Sequence, residues 1–261
     1  MLDELITHLD QYGTLKITLN RPECHNAFDD HQIQRLINTL DEARVDPNVR
    51  VVVLAGSGKN FSAGGDLNYM KRMGNNTYDE NLADAGRLGL LMKTLNFLPK
   101  LTIARVQGAA FGGAVGLISC CDIAIGTPNA RFSLSEVKVG MAPATIAPYV
   151  ARAIGERAAR RFFTTGEMIS ADKALSLGLL SEVVEVESLD HTINTLIATL
   201  QANAPIGMQK AKQIVFDVVN GDITEEMINH TVKYIADIRD SEEGREGLSA
   251  FLEKRPPNWT R

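Results

Sequence analysis

The sequence predicts an α/β fold with parallel strand pairing, and three observations carry that prediction. An apolar run at 49–55 (VRVVVLA) reads as a strand buried on both faces. A second β-rich run at 101–106 (LTIARV) follows, and each run leads into a glycine-rich turn and then a helix-forming segment. Beyond residue 136 the sequence becomes mostly helical, with one further strand expected at 181–186.

Taken in order, residues 5–8 and 15–19 alternate around Tyr12-Gly13 and predict a β-hairpin that Asn20-Arg21-Pro22 ends. Ile33, Leu36, Ile37 and Leu40 share one face of a helix over 30–43. Asp46-Pro47 turns the chain into the first buried strand. A loop over 56–66 then leads to a short helix at 67–73 and a polar segment at 74–79. A long helix over 80–98 places Leu88, Leu91, Met92, Leu95 and Leu98 inward and stops at Pro99. The strand at 101–106 enters a turn containing Gly108, Gly112 and Gly113, an apolar helix at 114–120, and a short strand leading to Glu136. Helices are expected at 144–153, 156–163, 171–177, 190–203, 205–220, 224–238 and 242–252. The change from βα units to helices at 141–143 is the one visible internal boundary, and no repeat or low-complexity linker occurs.

At 44% hydrophobic and 23% charged residues, the composition is that of a soluble globular chain. A net charge of −5 argues against nucleic acid as the main partner, since neutralising phosphates needs a basic excess. No apolar run reaches the ~18 residues of a membrane span, and the start, MLDELITHLD, has no basic leader followed by an apolar block. Cys24, Cys120 and Cys121 form an odd set with two neighbours in an apolar helix, which predicts reduced thiols and a cytoplasmic protein.

Several familiar signatures fail. Gly56-Ser57-Gly58-Lys59 lacks phosphate-loop spacing, and neither a dinucleotide fingerprint nor a nucleophile elbow is present. The five histidines are scattered, so no metal site is expected. What remains is two glycine turns, Ala63-Gly64-Gly65-Asp66 and Gly112-Gly113-Ala114, each after a buried strand. If those strands are neighbours, N–H groups from both turns can converge on one oxygen, an arrangement suited to an enolate or oxyanion. Spacing alone gives equal weight to two tight turns that merely cap helices. Glu136, a solitary carboxylate brought toward the second turn, would supply acid/base chemistry.

The motifs Asn20-Arg21-Pro22, Asn26-Ala27, FSAGGDL at 61–67, GAAFGG at 108–113, Cys121-Asp122-Ile123 and Glu253-Lys254-Arg255 occur in that order. Together they resemble the enoyl-CoA hydratase/isomerase (crotonase) superfamily over nearly the whole chain. The resemblance implies a ClpP-like ββα superhelix at 1–198 and a C-terminal helical region at 199–261 used in trimerisation, with trimers often paired into hexamers. It also implies an acyl-CoA substrate and no cofactor beyond that thioester. The backbone N–H groups of Gly65 and Gly113 would form the oxyanion hole. Ala63 and Gly65 would line the adenine pocket, and Lys254 would reach CoA bound by a neighbouring subunit.

One departure bears on mechanism. Typical hydratases of the family carry a second glutamate on the helix after the glycine turn, where this chain has Gly116. A single carboxylate favours a family isomerase that moves a 3,4 double bond to the 2,3 position. A second resemblance favours hydration: FSLSEV at 132–137, PATIAPYV at 143–150, Val115-Gly116-Leu117 and IGERA at 154–158 look like a bacterial branch. That branch acts on 3-methylglutaconyl-CoA and related carboxylated, branched thioesters in leucine or acyclic-terpene breakdown. Gly116 is expected to leave room for a C3 substituent and to spare a dianionic acyl group a like charge. Outside the enzyme class, the resemblance also allows an RNA-binding protein with vestigial catalysis, against which the acidic balance and Glu136 both argue.

The remaining candidates have plain readings beside functional ones. Asp66 is expected to cap the helix at 67–73 before it serves any binding role. Lys71 and Arg72 could meet phosphates or a substrate carboxylate, or form a solvated helix face. Asp122 is expected to fix local backbone, and Met141 lies close enough in sequence to Glu136 to line an acyl tunnel.

Overall fold

The computed structural model describes residues 3–260; positions 1, 2 and 261 of the expected regions lie outside the described residues. The hairpin forms from β1 (Leu5–Leu9) and β2 (Thr14–Leu19), paired antiparallel and turned at Gly13, whose φ of 89° suits glycine. α1 (Asp30–Val45) starts where the Asp29 carboxylate accepts the Gln32 N–H, and it buries Ile33, Leu36, Ile37 and Leu40 on one face.

β3 (Val51–Gly56) is buried along its whole length because strands flank it and helices cover it. It lies parallel to β2 on one side and to β4 (Leu101–Val106) on the other. β6 (Ile123–Gly126) and β9 (Glu182–Val183) complete a six-stranded sheet in the order β1-β2-β3-β4-β6-β9. The expected strand at 181–186 is thus only two residues long.

Between β3 and β4 run α2 (Leu67–Met73) and α3 (Tyr78–Asn96). α3 begins two residues before apolar spacing predicts, because Thr77 and Glu80 form a reciprocal capping box. A second, three-stranded sheet is built from β5 (Ala109–Phe111), β7 (Arg131–Ser133) and β8 (Ile169–Ser170). α4 (Gly113–Cys120) follows β5, and a 3-10 turn, Ser135–Val139, follows β7. α5 (Ala147–Ile154) carries Pro148 in its first turn, where a missing N–H breaks no intrahelical bond. α6 (Glu156–Thr165), α7 (Ala171–Leu177) and α8 (Leu189–Ala202) come next.

Alternation along the strands gives the main sheet two packed faces. Val52, Leu54 and Ala104 join the principal core with Leu36 of α1, Leu91 and Leu95 of α3, and Leu117 of α4. Val51, Val53, Ile103 and Ile125 meet Leu189, Ile193 and Ile197 of α8 on the other face. The boundary expected at 198/199 therefore falls inside a helix that belongs to the core, and the chain turns away at Asn203 instead. The last helices, α9 (Pro205–Val218), α10 (Glu225–Asp240) and α11 (Glu242–Glu253), bury almost nothing: Ala250 is their one buried residue. α9 is nonetheless tied to the sheet. Lys212 Nζ lies 2.8 Å from Asp122 Oδ2, which also accepts the Thr102 N–H and hydroxyl, so Asp122 fixes backbone. Among the described residues, no helix is long and apolar enough to cross a membrane.

Candidate active site

Because β3 and β4 are adjacent and parallel, the glycine turns after them leave the same sheet edge. They are laced together by backbone: the Ser62 N–H donates to Ala109 O (3.1 Å) and the Phe111 N–H to Ser62 O (3.1 Å). Gly64 takes a φ of 88°, and a Cβ there would stand 2.6 Å from Phe111 O, so only glycine permits this approach. Among the described residues, neither the Gly65 nor the Gly113 N–H has a hydrogen-bond partner. Gly113 opens α4, where the first N–H groups lack intrahelical acceptors and the peptide dipoles add positive potential.

Glu136 arrives from the other side, on the 3-10 turn that follows β7. A Cβ built on Gly112 would lie 3.2 Å from Glu136 Oε1, so the carboxylate rests against the second glycine turn. Its Oε2 is buried without a partner, and burial pushes the carboxyl above the usual glutamate range. A carboxylate with a buried, unpartnered oxygen and raised proton affinity, set beside free N–H groups, is an arrangement that can exchange a proton with a bound ligand.

These groups share a cavity of about 460 Å³. Ala63, Gly64, Gly65, Gly112, Gly113 and Glu136 all line it. One wall comes from α2 and α3 through Met70, Met73, Asp84 and Leu88, and the lining also includes Met141 and Ile146. Asp84 is buried but satisfied: it accepts the Tyr69 hydroxyl at 2.5 Å and Arg87 Nη2 at 2.7 Å. Burial, reinforced by Asp84, pushes the Tyr69 phenol up, so it stays a donor.

Two sequence expectations are corrected. Gly116 is buried in α4 and leaves no room for a substituent: a Cβ there would stand 2.4 Å from Ile146 Cγ2 and 3.0 Å from Met92 Sδ. The space of a second glutamate is already filled, and it is Ile146 rather than Gly116 that faces the cavity. Asp66 does not line the cavity; it caps α2 by accepting the Asn68 and Tyr69 N–H groups and receives Arg21 Nη2 at 3.2 Å. Lys71 is exposed on α2 and outside the cavity wall, and Arg72 pairs with Asp30 at 2.6 Å. Lys254 is exposed at the end of α11, also away from the cavity wall.

Sequence reasoning missed Asp84, Tyr69, Phe28 and Ile146. One signal for Asp84 was present: it precedes Leu88, Leu91, Met92 and Leu95 by four, seven, eight and eleven residues, a carboxylate on an apolar helical stripe.

A sequence profile described as enoyl-CoA hydratase/isomerase matches residues 10–261. The crystal structure of an enoyl-CoA hydratase from Shewanella pealeana ATCC 700345 superposes with a TM-score of 0.96 at 45% identity, covering 99% of this chain and 97% of that one. Pseudomonas aeruginosa AtuE superposes with a TM-score of 0.94 at 31% identity, over 99% and 100% of the two chains. The 2,3-dehydroadipyl-CoA hydratase of Escherichia coli (strain K12) is 31% identical over 99% of each chain. This chain belongs to the enoyl-CoA hydratase/isomerase family and has the crotonase fold.

Proposed function

We propose that the protein hydrates a 2-enoyl-CoA whose acyl chain is branched and carboxylated, of the 3-methylglutaconyl type. The observation that carries the reaction is the placement of Glu136, whose Oε2 is buried without a partner, against a turn with free N–H groups. The thioester oxygen accepts from the Gly65 and Gly113 N–H groups. Glu136 takes a proton from water as the water oxygen bonds C3, and electrons move onto the thioester oxygen as an enolate. The carboxyl then returns the proton to C2, giving the 3-hydroxyacyl-CoA and the original carboxylate. Stabilising the enolate by preorganised donors is the larger contribution, because the donors need no reorganisation.

The polar lining supports the acyl class. Of the two carboxylates on the cavity wall, Asp84 is compensated by Arg87 and Tyr69, which leaves Glu136 as the single uncompensated one. Ser135, Thr145 and Asn81 offer neutral donors in the same wall. Relatives at about one-third identity also have names containing acyl groups with a second carboxyl, dehydroadipyl and benzylidenesuccinyl. The test is kcat/KM for 3-methylglutaconyl-CoA, its uncharged counterpart 3-methylcrotonyl-CoA, and crotonyl-CoA. Preference for the first is expected; equal or better use of 3-methylcrotonyl-CoA would remove the carboxylated assignment.

A second reading draws on Ile146. With the Gly116 site filled and Asp84 engaged, one base remains, which is sufficient to move a proton from C2 to C4 of a 3-enoyl-CoA. Isomerisation of a 3-enoyl-CoA faster than hydration of any 2-enoyl-CoA would establish that activity as the main one.

We also infer that the last three helices assemble copies of the chain into a trimer or a pair of trimers. Val215, Val219, Ile223, Val232, Phe251 and Leu252 are each more than half exposed there, apolar side chains that subunit contacts would cover. Lys254 would then be offered to the CoA of a neighbour. Light scattering on the purified protein checks this, and a monomer at micromolar concentration would contradict it.

A further inference from the structure

The two glycine turns bring one N–H group each, and an oxyanion hole works only if their separation is held. Phe28 touches both. Its N–H donates to Gly64 O at 2.8 Å and its carbonyl accepts the Asp66 N–H at 3.0 Å, so its backbone brackets Gly65. Its ring reaches the other turn: a Cβ built on Gly113 would stand 2.8 Å from Phe28 Cζ, which places the ring edge directly against the bare Cα of Gly113. The side chain is 3% exposed, so it has little freedom to retreat.

The backbone of Phe28 is in turn locked. Arg21 donates from Nη1 to Ala27 O at 3.1 Å and from Nη2 to Asp66 Oδ2 at 3.2 Å, spanning both sides of the bracket. Asn26 receives the Arg21 N–H at 2.9 Å and donates its amide to Ser57 O and Asn60 O in the loop that precedes the first glycine turn. This gives a physical job to Asn20-Arg21-Pro22 and Asn26-Ala27, motifs the chemistry itself leaves unused.

We propose that Phe28 is a positioning residue that sets the separation of the Gly65 and Gly113 N–H groups, with Arg21 fixing its backbone. The proposal rests on the oxyanion role given above to those two groups. The competing arrangement is that the backbone ladder between Ser62 and Ala110 holds the turns unaided.

Two substitutions move the donor in opposite directions. Phe28→Ala withdraws the ring, whereas Phe28→Tyr adds an oxygen at Cζ, the atom that faces Gly113. Both are expected to lower kcat about 10- to 100-fold, less than or comparable to removal of an oxyanion donor. KM should change little, and the acid limb of the pH–rate profile should stay in place because Glu136 is untouched. Leu36→Ala, in the core of α1 away from the cavity, serves as the stability control: its melting temperature should fall while kcat of the folded protein holds. Assays use whichever CoA thioester the wild-type chain turns over, by hydration or isomerisation. An active wild type with Phe28 variants at wild-type kcat would overturn this inference alone. A wild type inert toward every thioester would overturn the proposed function and this inference with it.

Discussion

The two walls of the cavity each present a carboxylate, and they treat it in opposite ways. On the wall built by the 3-10 turn, Glu136 has a buried oxygen without a partner and a proton affinity raised by burial. On the α2–α3 wall, Asp84 accepts hydrogen bonds from Tyr69 and Arg87. The same functional group thus keeps an unpartnered oxygen on one side and is engaged by neighbours on the other. Partners, rather than residue type, decide which carboxylate can exchange a proton during a reaction.

Exchanging the reactive carboxylate should have the largest effect. Glu136→Gln is expected to reduce kcat about 10²–10⁴-fold, the usual contribution of a general acid/base. It should also raise the melting temperature at pH 7. A glutamate whose folded pKa is raised binds more protons folded than unfolded. Its folded form is therefore penalised once the pH passes both values, and an uncharged amide removes the penalty. A lower melting temperature for Glu136→Gln would contradict that sign.

Next comes the filled site behind Ile146. Gly116→Ala places a methyl 2.4 Å from Ile146 Cγ2 and should destabilise the fold by about 1–3 kcal/mol through overpacking. Adding Ile146→Ala should recover much of that loss in a thermal melt. Recovery of nothing would mean that Ile146 is not what occupies the space. The smallest effect belongs to the structural carboxylate. Asp84→Asn is expected to cost about 1 kcal/mol of stability in denaturant titration, with kcat within a few-fold of wild type. A kcat loss matching that of Glu136→Gln would erase the distinction between the walls.

How far the sequence reached can be judged from the same residues. The apolar run at 49–55 and the glycines after it announced a buried parallel strand and a close backbone approach, and both are present, the strand at Val51–Gly56. Short-range patterns were legible because their cause lies within a few residues: Asp66 caps α2, and Gly178 ends α7. The second sheet was largely hidden, since strands of three, three and two residues are too short to show alternation. Gly116 read as a vacancy because the side chain that fills it, Ile146, stands thirty positions later, and local sequence carries no trace of that contact. Phe28 carries no local sequence signal of its place; only the folded chain shows that it touches both glycine turns.

The most direct test of the central claim, that an unpaired and buried Glu136 is the base, is the pH dependence of kcat/KM, which reports titration of the free enzyme. Activity should fall on the acid side with an inflection above the usual glutamate range, as the raised proton affinity of Glu136 requires. That limb should vanish from the residual activity of Glu136→Gln. An inflection at the ordinary glutamate value, or one that persists unchanged in the variant, would contradict the assignment.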